Sequence, residues 1–298
     1  MKPIIITGPT ATGKTEMGYI LAKRLNGEII SADSKQIYKG CIIGTSSPIN
    51  PPVPYHLINF LEPTERYDAM RFIQDSEKLI DDITSRGKLP IIVGGTGFYI
   101  RALTEGLFIG DTKDSEIRNK LKKRYEQGEN LWDELNRIDS ESANKIEPND
   151  YYRIERALEV FYKTGTPLSQ WKKRKHHKVG DYSKFILMMD RAELYRRIES
   201  RVDSMIAEGW INEVRELIDS GISPNSPAFE SVGYMELYRY IKGEISLDEA
   251  IDRIKTRTRQ YAKRQITWFN KEPNCVQIDI SRMDTEEIAE RVMEYLAI

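Results

Sequence analysis

Gly8-Pro9-Thr10-Ala11-Thr12-Gly13-Lys14-Thr15 follows directly on Lys2-Pro3-Ile4-Ile5-Ile6-Thr7. The octapeptide matches G-x-x-x-x-G-K-[ST], a loop that turns backbone N–H groups inward around a diphosphate. In such a loop Lys14 neutralises phosphate charge and the Thr15 hydroxyl can hold Mg²⁺. The flanks agree with this reading. Residues 2–7 read as a short buried strand. Residues 16–25 read as a helix, with Met17, Ile20, Leu21 and Leu25 at helical spacing, so the helix N-terminus faces the phosphates. A purely structural glycine turn would not need strand, Lys-Thr and helix in register. The chain is therefore expected to handle a di- or triphosphate.

Working outward, strands are expected at Ile4–Thr7, 28–32, 57–60, 90–94, 185–190 and 276–280, with helical patterns between them, among them 69–86. Alternating strands and helices predict an α/β fold: a P-loop NTPase-like parallel sheet flanked by helices. The stretch from about 111 to 181 breaks the rhythm. It shows helical patterns at 115–127, Leu131–Ile138 and Tyr151–Thr164 and no convincing strand. It is expected to be an all-helical insertion domain, 111–181, between core segments 1–110 and 182–298. A further helical block runs from 192 to 269, and the proline-rich stretch 48–54 reads as a rigid loop.

With 45 basic and 46 acidic residues, the net charge of −1 does not announce nucleic acid, so any such site must be a local patch. No apolar run approaches the roughly 18 residues of a membrane span, and no membrane association is expected. The first strand begins almost at Met1, leaving no room there for a signal or transit peptide. Cys41 and Cys275 are far apart, and with His56, His176 and His177 they form no metal-ligand spacing. Both cysteines read as packing residues, and a cytoplasmic location fits.

A nucleotide-hydrolysing P-loop protein normally holds Mg²⁺ with a second acid at the end of a buried strand. Here the strand Leu89-Pro90-Ile91-Ile92-Val93 ends in Gly94-Gly95-Thr96-Gly97, without an acid. Asp190 closes a later strand and reads equally well as a turn residue. This weakens an ATPase or motor reading. The strand ends do carry Asp33 and Thr96, where open α/β sheets bind ligands. Asp33 can accept a proton, and Thr96 can donate a hydrogen bond to a leaving oxygen. Taken alone, either could equally be a turn or capping residue.

Several motifs occur in a telling order. They are Gly8–Thr15; Asp33-Ser34-Lys35-Gln36-Ile37-Tyr38-Lys39-Gly40 with Ile43-Gly44-Thr45; Tyr55-His56-Leu57; and Val93-Gly94-Gly95-Thr96-Gly97-Phe98-Tyr99-Ile100. Pro148-Asn149-Asp150 with residues 153–161, Val232-Gly233-Tyr234, and the run from Thr258 to Phe269 follow. This set resembles the tRNA dimethylallyltransferases, also called tRNA isopentenyltransferases, over nearly the whole chain. The resemblance implies transfer of a dimethylallyl group from dimethylallyl diphosphate to the exocyclic amine of adenosine 37, just 3′ of the anticodon in tRNA. The P-loop would then grip the diphosphate leaving group rather than ATP. It implies Asp33 as general base, Thr96 as stabiliser of the leaving diphosphate, and Gly8, Pro9, Thr10, Ala11, Thr12, Gly13, Lys14, Thr15 and Arg215 around that diphosphate, with Mg²⁺ on Thr15. It further implies tRNA contacts from Asp33, Ser34, Lys35, Gln36, Arg118, Tyr152, Arg153, Ile154, Glu155 and Arg156, and a monomeric protein.

An adenine stacked in the anticodon loop must be flipped out to be alkylated, and basic residues supply the backbone grip. The helical pattern 249–269 carries Arg253, Arg257 and Arg264 on one face, and Lys255, Arg259 and Lys263 on another. Arg259 and Lys263 are the candidates for phosphate contact, and Gln36 for reading a base edge. The basic run from Trp171 to Lys178 is as readily a solvated loop as an RNA contact. Met235, Glu230 and Asp68 depart from residues common in the family, and Glu230 puts a phosphate contact there in doubt. The appended zinc finger of some eukaryotic relatives is absent. Three other readings stand beside this one: an adenylate isopentenyltransferase, a P-loop small-molecule kinase, and a regulatory nucleotide-binding module. The long helical insertion argues against the first, since a free nucleotide needs no such surface.

Overall fold

The computed structural model describes residues 2–106, 114–173 and 180–297. In chain order its elements begin with β1 (Ile4–Thr7), α1 (Lys14–Arg24), β2 (Gly27–Ser31), β3 (Tyr55–His56), α2 (Ala69–Ser85), β4 (Leu89–Gly94) and α3 (Gly97–Glu105). Next come α4 (Ser115–Glu126), α5 (Leu131–Ile138), α6 (Ser140–Ala143), α7 (Tyr151–Thr164) and α8 (Leu168–Lys173). The chain continues with β5 (Ser183–Met188), α9 (Arg191–Ala207), α10 (Trp210–Asp219), a 3₁₀ turn (Pro227–Glu230), α11 (Tyr234–Ile241), α12 (Leu247–Phe269), β6 (Val276–Asp279) and α13 (Thr285–Leu296). Two compact units result: Met1–Thr104 with Val179–Ile298, and Glu105–Lys178.

In the first unit β1, β2 and β4 are buried at every residue, as strands covered on both faces must be. They belong to a six-stranded sheet of order β3-β2-β4-β1-β5-β6, parallel throughout. Ile4 of β1 pairs with Ile91 of β4 on one side and Ser183 of β5 on the other. The chain thus leaves β1 to build one half of the sheet and returns to β5 for the other. The ends of β1, β2 and β4 meet at this reversal, the usual place for a ligand crevice. At the opposite end of β2 the buried Glu28 is bound by Arg86, by Lys88 at 2.7 Å and by His56 at 2.8 Å, which accounts for a carboxylate inside a sheet.

The strand expected at 57–60 is corrected. Leu57 and Asn59 take φ of 59° and 49°, left-handed values that end the extended run, so only Tyr55–His56 pairs with β2. Asp190 is the α9 N-cap, accepting from Ala192 and Glu193 N–H, and Asp68 caps α2 in the same way.

Ile4, Ile6, Met17, Leu21, Ile91, Phe185 and Val292 belong to one core cluster against the sheet. A second joins Trp210, Val214, Phe229, Tyr234 and Ile254 to Ile37, Tyr38 and Cys41. Burial pushes the Cys41 thiol up to about 12, consistent with a packing role. The described part of the second unit contains helices α4–α8, packed around Leu121, Leu131, Leu135 and Leu158. No helix among the described residues is long and apolar enough to cross a membrane. Of the basic run 171–178, residues 174–178 lie outside the described residues.

Candidate active site

The loop after β1 is shaped by its own residues. Gly8 has φ of +143°, and a Cβ there would stand 2.3 Å from the Leu187 carbonyl of β5, so no other residue fits. Ala11 holds φ of 63°, a left-handed conformation that costs a non-glycine residue roughly 1–2 kcal/mol. The Thr12 hydroxyl donates to the Pro9 carbonyl at 2.9 Å, and Lys14 Nζ donates to the same carbonyl at 2.5 Å. Gly13 caps α1 without a side-chain bond. The first N–H groups of that helix are therefore available to an anion.

These residues line one wall of a cavity of about 350 Å³. Thr10, Ala11, Gly13, Lys14 and Thr15 come from the loop, Asp33 and Gln36 from beyond β2, and Gly94 and Gly95 from the end of β4. Glu16, Thr45, Ser46, Arg201, Gln265 and the rings of Tyr19, Tyr55 and Tyr261 also line it. Burial, helped by the Arg201 charge and opposed by Asp33, pushes the Lys14 ammonium down to about 7. Burial likewise lowers Arg201, against the pull of Asp33 and Glu208. Arg201 Nε donates to Ser46 Oγ at 3.0 Å, and its Nη1 lies 3.4 Å from Thr10 Oγ1. Among the described residues neither Lys14 nor Arg201 has a carboxylate within salt-bridge distance. Two half-buried cations facing one cavity, neither closed in a salt bridge, make an anion site.

Asp33 Oδ1 accepts from the N–H groups of Lys35 at 2.8 Å and Gln36 at 3.4 Å. This is the turn role that the sequence left open. It occupies one oxygen, and Oδ2 has no hydrogen-bond partner among the described residues. Thr15 and Asp33 line the same cavity. No cluster of three or more His, Cys, Asp or Glu suited to a metal occurs among the described residues. The Thr15 hydroxyl beside an anion site fits Mg²⁺, which keeps several waters and takes few protein ligands.

A family model described as IPP transferase matches residues 36–272. The chain belongs to the IPP transferase family. It is 44% identical to the tRNA dimethylallyltransferase of Geobacillus thermodenitrificans, over 98% of this chain and 94% of that one. It is 46% identical to tRNA dimethylallyltransferase 2 of Geotalea uraniireducens, over 91% and 90%. The crystal structure of the tRNA isopentenylpyrophosphate transferase from Bacillus halodurans superposes with a TM-score of 0.74 at 38% identity, covering 99% and 95%. A eukaryotic dimethylallyltransferase, described as acting on tRNA, superposes with a TM-score of 0.84 at 30% identity, covering 99% of this chain and 79% of that one.

Not every residue singled out in this IPP transferase family sequence reaches the cavity. Arg215 does not. On α10 the apolar stripe Trp210, Val214 and Leu217 turns inward, so Arg215 is exposed and donates to Asn212 Oδ1 at 3.1 Å. Arg201, which sequence reasoning missed, is the arginine at the phosphate loop. Thr96 stands one residue past the lining. Its Oγ1 accepts from Ser34 N–H at 3.0 Å and offers its proton to Ser34 Oγ across a long 3.4 Å. Gln36 lines the cavity with its amide already bonded: its Nε2 donates to the Thr45 and Ser46 carbonyls at 3.2 and 3.1 Å, and its Oε1 accepts from Ser31 Oγ at 3.2 Å. Lys35 Nζ donates to the Pro227 carbonyl at 3.2 Å and lies 3.4 Å from Glu230, which also faces Arg66 at 3.8 Å.

On α12, Arg259 pairs with Glu199, Arg257 with Glu236, Lys255 with Asp203 and Arg253 with Glu249. Lys263 is exposed and has no side-chain partner among the described residues. Gln265 was also missed. It is buried in α12, and its amide joins the Thr10 N–H to the Gly95 carbonyl. The available signal was a polar residue on the stripe that buries Ile254, Ala262 and Phe269.

In the helical unit the run 152–156 divides by face. Tyr152 is 69% exposed, and Arg153 points outward with Asp150 at 3.1 Å. Ile154 and Glu155 turn inward and are buried. Arg118 grips the fully buried Glu159 with two bonds of 2.7 and 3.0 Å, and Arg156 joins it. Burial alone would raise the Glu159 carboxyl, but Arg118, the Asp114 N–H and Arg156 bring it below the usual range.

Proposed function

We propose that this chain transfers the dimethylallyl group of dimethylallyl diphosphate to the exocyclic amine of adenosine 37 of tRNA. The products are N6-dimethylallyladenosine and diphosphate. The observation that carries the reading is that Lys14, Arg201 and the phosphate loop line the same cavity as Asp33. An anion grip and a carboxylate oxygen without a protein partner are the two parts a prenyl transfer to a weak nucleophile needs.

In this reading the loop N–H groups, Lys14 and Arg201 bind the diphosphate and take up the charge that grows on it as the C–O bond breaks. Mg²⁺ on the Thr15 hydroxyl would add to that neutralisation. The amine nitrogen forms the new C–N bond and loses its proton to Asp33 Oδ2, a contribution typically of about 10²–10⁴-fold. The Thr96 proton, weakly held by Ser34, turns to the leaving oxygen. Tyr152, Arg153 and Lys263 serve as tRNA contacts, since their side chains are exposed.

Mass spectrometry of unmodified tRNA incubated with the protein, Mg²⁺ and dimethylallyl diphosphate tests the reading, with a parallel sample containing ATP. The expected result is one dimethylallyl group on an anticodon-loop adenosine, only with the prenyl donor. Unmodified tRNA together with phosphate transfer from ATP to a small molecule would overturn it.

A further inference from the structure

We infer that Gln265 is a positioning residue that fixes the distance between the leaving-group cradle and the base, an inference that rests on the transferase reading above. Its side-chain amide spans the two halves of the cavity. Oε1 accepts from the Thr10 N–H at 2.8 Å, and Nε2 donates to the Gly95 carbonyl at 2.8 Å. Thr10 belongs to the phosphate loop. Gly95 precedes Thr96, whose hydroxyl holds the Ser34 N–H beside Asp33. A continuous path of bonds therefore runs from the diphosphate cradle through Gln265 to the carboxylate that receives the amine proton.

The fit around this amide leaves no slack. A Cβ on Gly95 would stand 2.7 Å from Gln265 Nε2, and one on Gly97 would stand 2.4 Å from Trp268 Nε1. The glycines of the β4–α3 turn are thus what let α12 seat directly on it. Trp268 is held in turn under the Arg101 guanidinium, 4.2 Å from its ring. One helical turn before Gln265, Tyr261 lines the cavity. The amide orientation is the one in which both bonds form. The reverse would set two donors against each other at Thr10 and two acceptors at Gly95. Both ends must meet in one geometry for in-line transfer, and a displacement of about 1 Å costs on the order of 100-fold in rate.

Gln265→Met and Gln265→Glu test this in steady-state transfer assays, with thermal unfolding measured alongside. Methionine keeps the volume and loses both bonds. Glutamate keeps the acceptor to Thr10 and regains the donor to Gly95 only when protonated. Both variants are expected to fold, with kcat reduced roughly 10- to 100-fold and KM for dimethylallyl diphosphate within a few-fold of the parent. Gln265→Glu should recover turnover, relative to the parent, as pH falls, and Gln265→Met should not. Methionine at parental kcat would overturn the inference by showing that packing suffices. Unfolding of both variants would overturn it by placing the amide's value in stability. Failure of the parent protein to prenylate any tRNA would instead count against the transferase reading itself.

Discussion

The cavity and the helical unit use the same residue type in opposite ways. Arg201 faces the phosphate loop with hydroxyl partners and no paired carboxylate. Arg118 and Arg156 both close on Glu159, whose side chain is fully buried. Removing a charge from water without a partner is costly, so a half-buried cation held only by hydroxyls reserves its charge for a ligand. A cation locked to a buried carboxylate has spent that charge on the fold. The counter-ion therefore separates ligand-ready arginines from structural ones. By this criterion Arg118 and Arg156 are chiefly braces of the helical unit, and Lys14 and Arg201 are chiefly ligands for an anion.

The largest expected effect is at the base. Asp33→Asn keeps an oxygen for the Lys35 and Gln36 N–H groups, so the turn survives, while the proton acceptor is lost. Turnover should fall about 10²–10⁴-fold with diphosphate affinity nearly unchanged, read by steady-state kinetics beside calorimetric binding. Near-parental turnover would return Asp33 to its turn role alone.

Next, Glu159→Ala leaves two arginines without their buried partner. It should cost about 1–3 kcal/mol in denaturant unfolding of the helical unit, with no change in diphosphate binding. A stable variant with weakened tRNA binding would reverse the assignment of Arg118 and Arg156. Arg201→Met should do the opposite. Losing a charge-assisted contact of about 1.5–3 kcal/mol should weaken diphosphate binding roughly 10- to 100-fold, while thermal stability holds or rises. Marked destabilisation would show that Arg201 too serves the fold.

The smallest effect is on pH. Burial and the Arg201 charge hold Lys14 down at about 7, and a bound anion favours its charged form. Below about pH 7 Lys14 already carries its proton. Above that, binding must take one up, so affinity should fall by up to about tenfold per pH unit. Calorimetry in buffers of different ionisation enthalpy would show the uptake, and Lys14→Met should abolish it. Stability of the empty protein runs the other way. The unfolded chain holds the Lys14 proton up to its ordinary range, so stability should rise between pH 7 and 10. Binding without proton uptake at pH 8 would mean that Lys14 stays charged in the empty cavity.

What the sequence determined by itself was local. The octapeptide 8–15 lies on consecutive residues, between a buried apolar strand and a helix, and its backbone geometry follows from Gly8, Gly13 and that junction. The parallel sheet was legible because short apolar runs such as those of β1, β4 and β5 alternate with helical patterns, and Asp33 because it follows the strand residues Ile29 and Ile30. Tertiary structure alone decided the rest. Arg201 and Arg215 both flank apolar stripes of neighbouring helices, and only the packing of α9 and α10 decides which one turns to the phosphate loop. Residues 57–60 look like a strand in composition, yet Leu57 and Asn59 are held left-handed because Phe60 and Leu61 bond back to the Ile37 carbonyl. Gln36 offers an amide in sequence, and only the fold brings the backbone of residues 45 and 46 onto it. Gln265 reaches partners 170 and 255 residues away. Such contacts arise from how helices settle on a sheet, and one-dimensional patterns record a residue's tendency to be buried, not the groups it meets there.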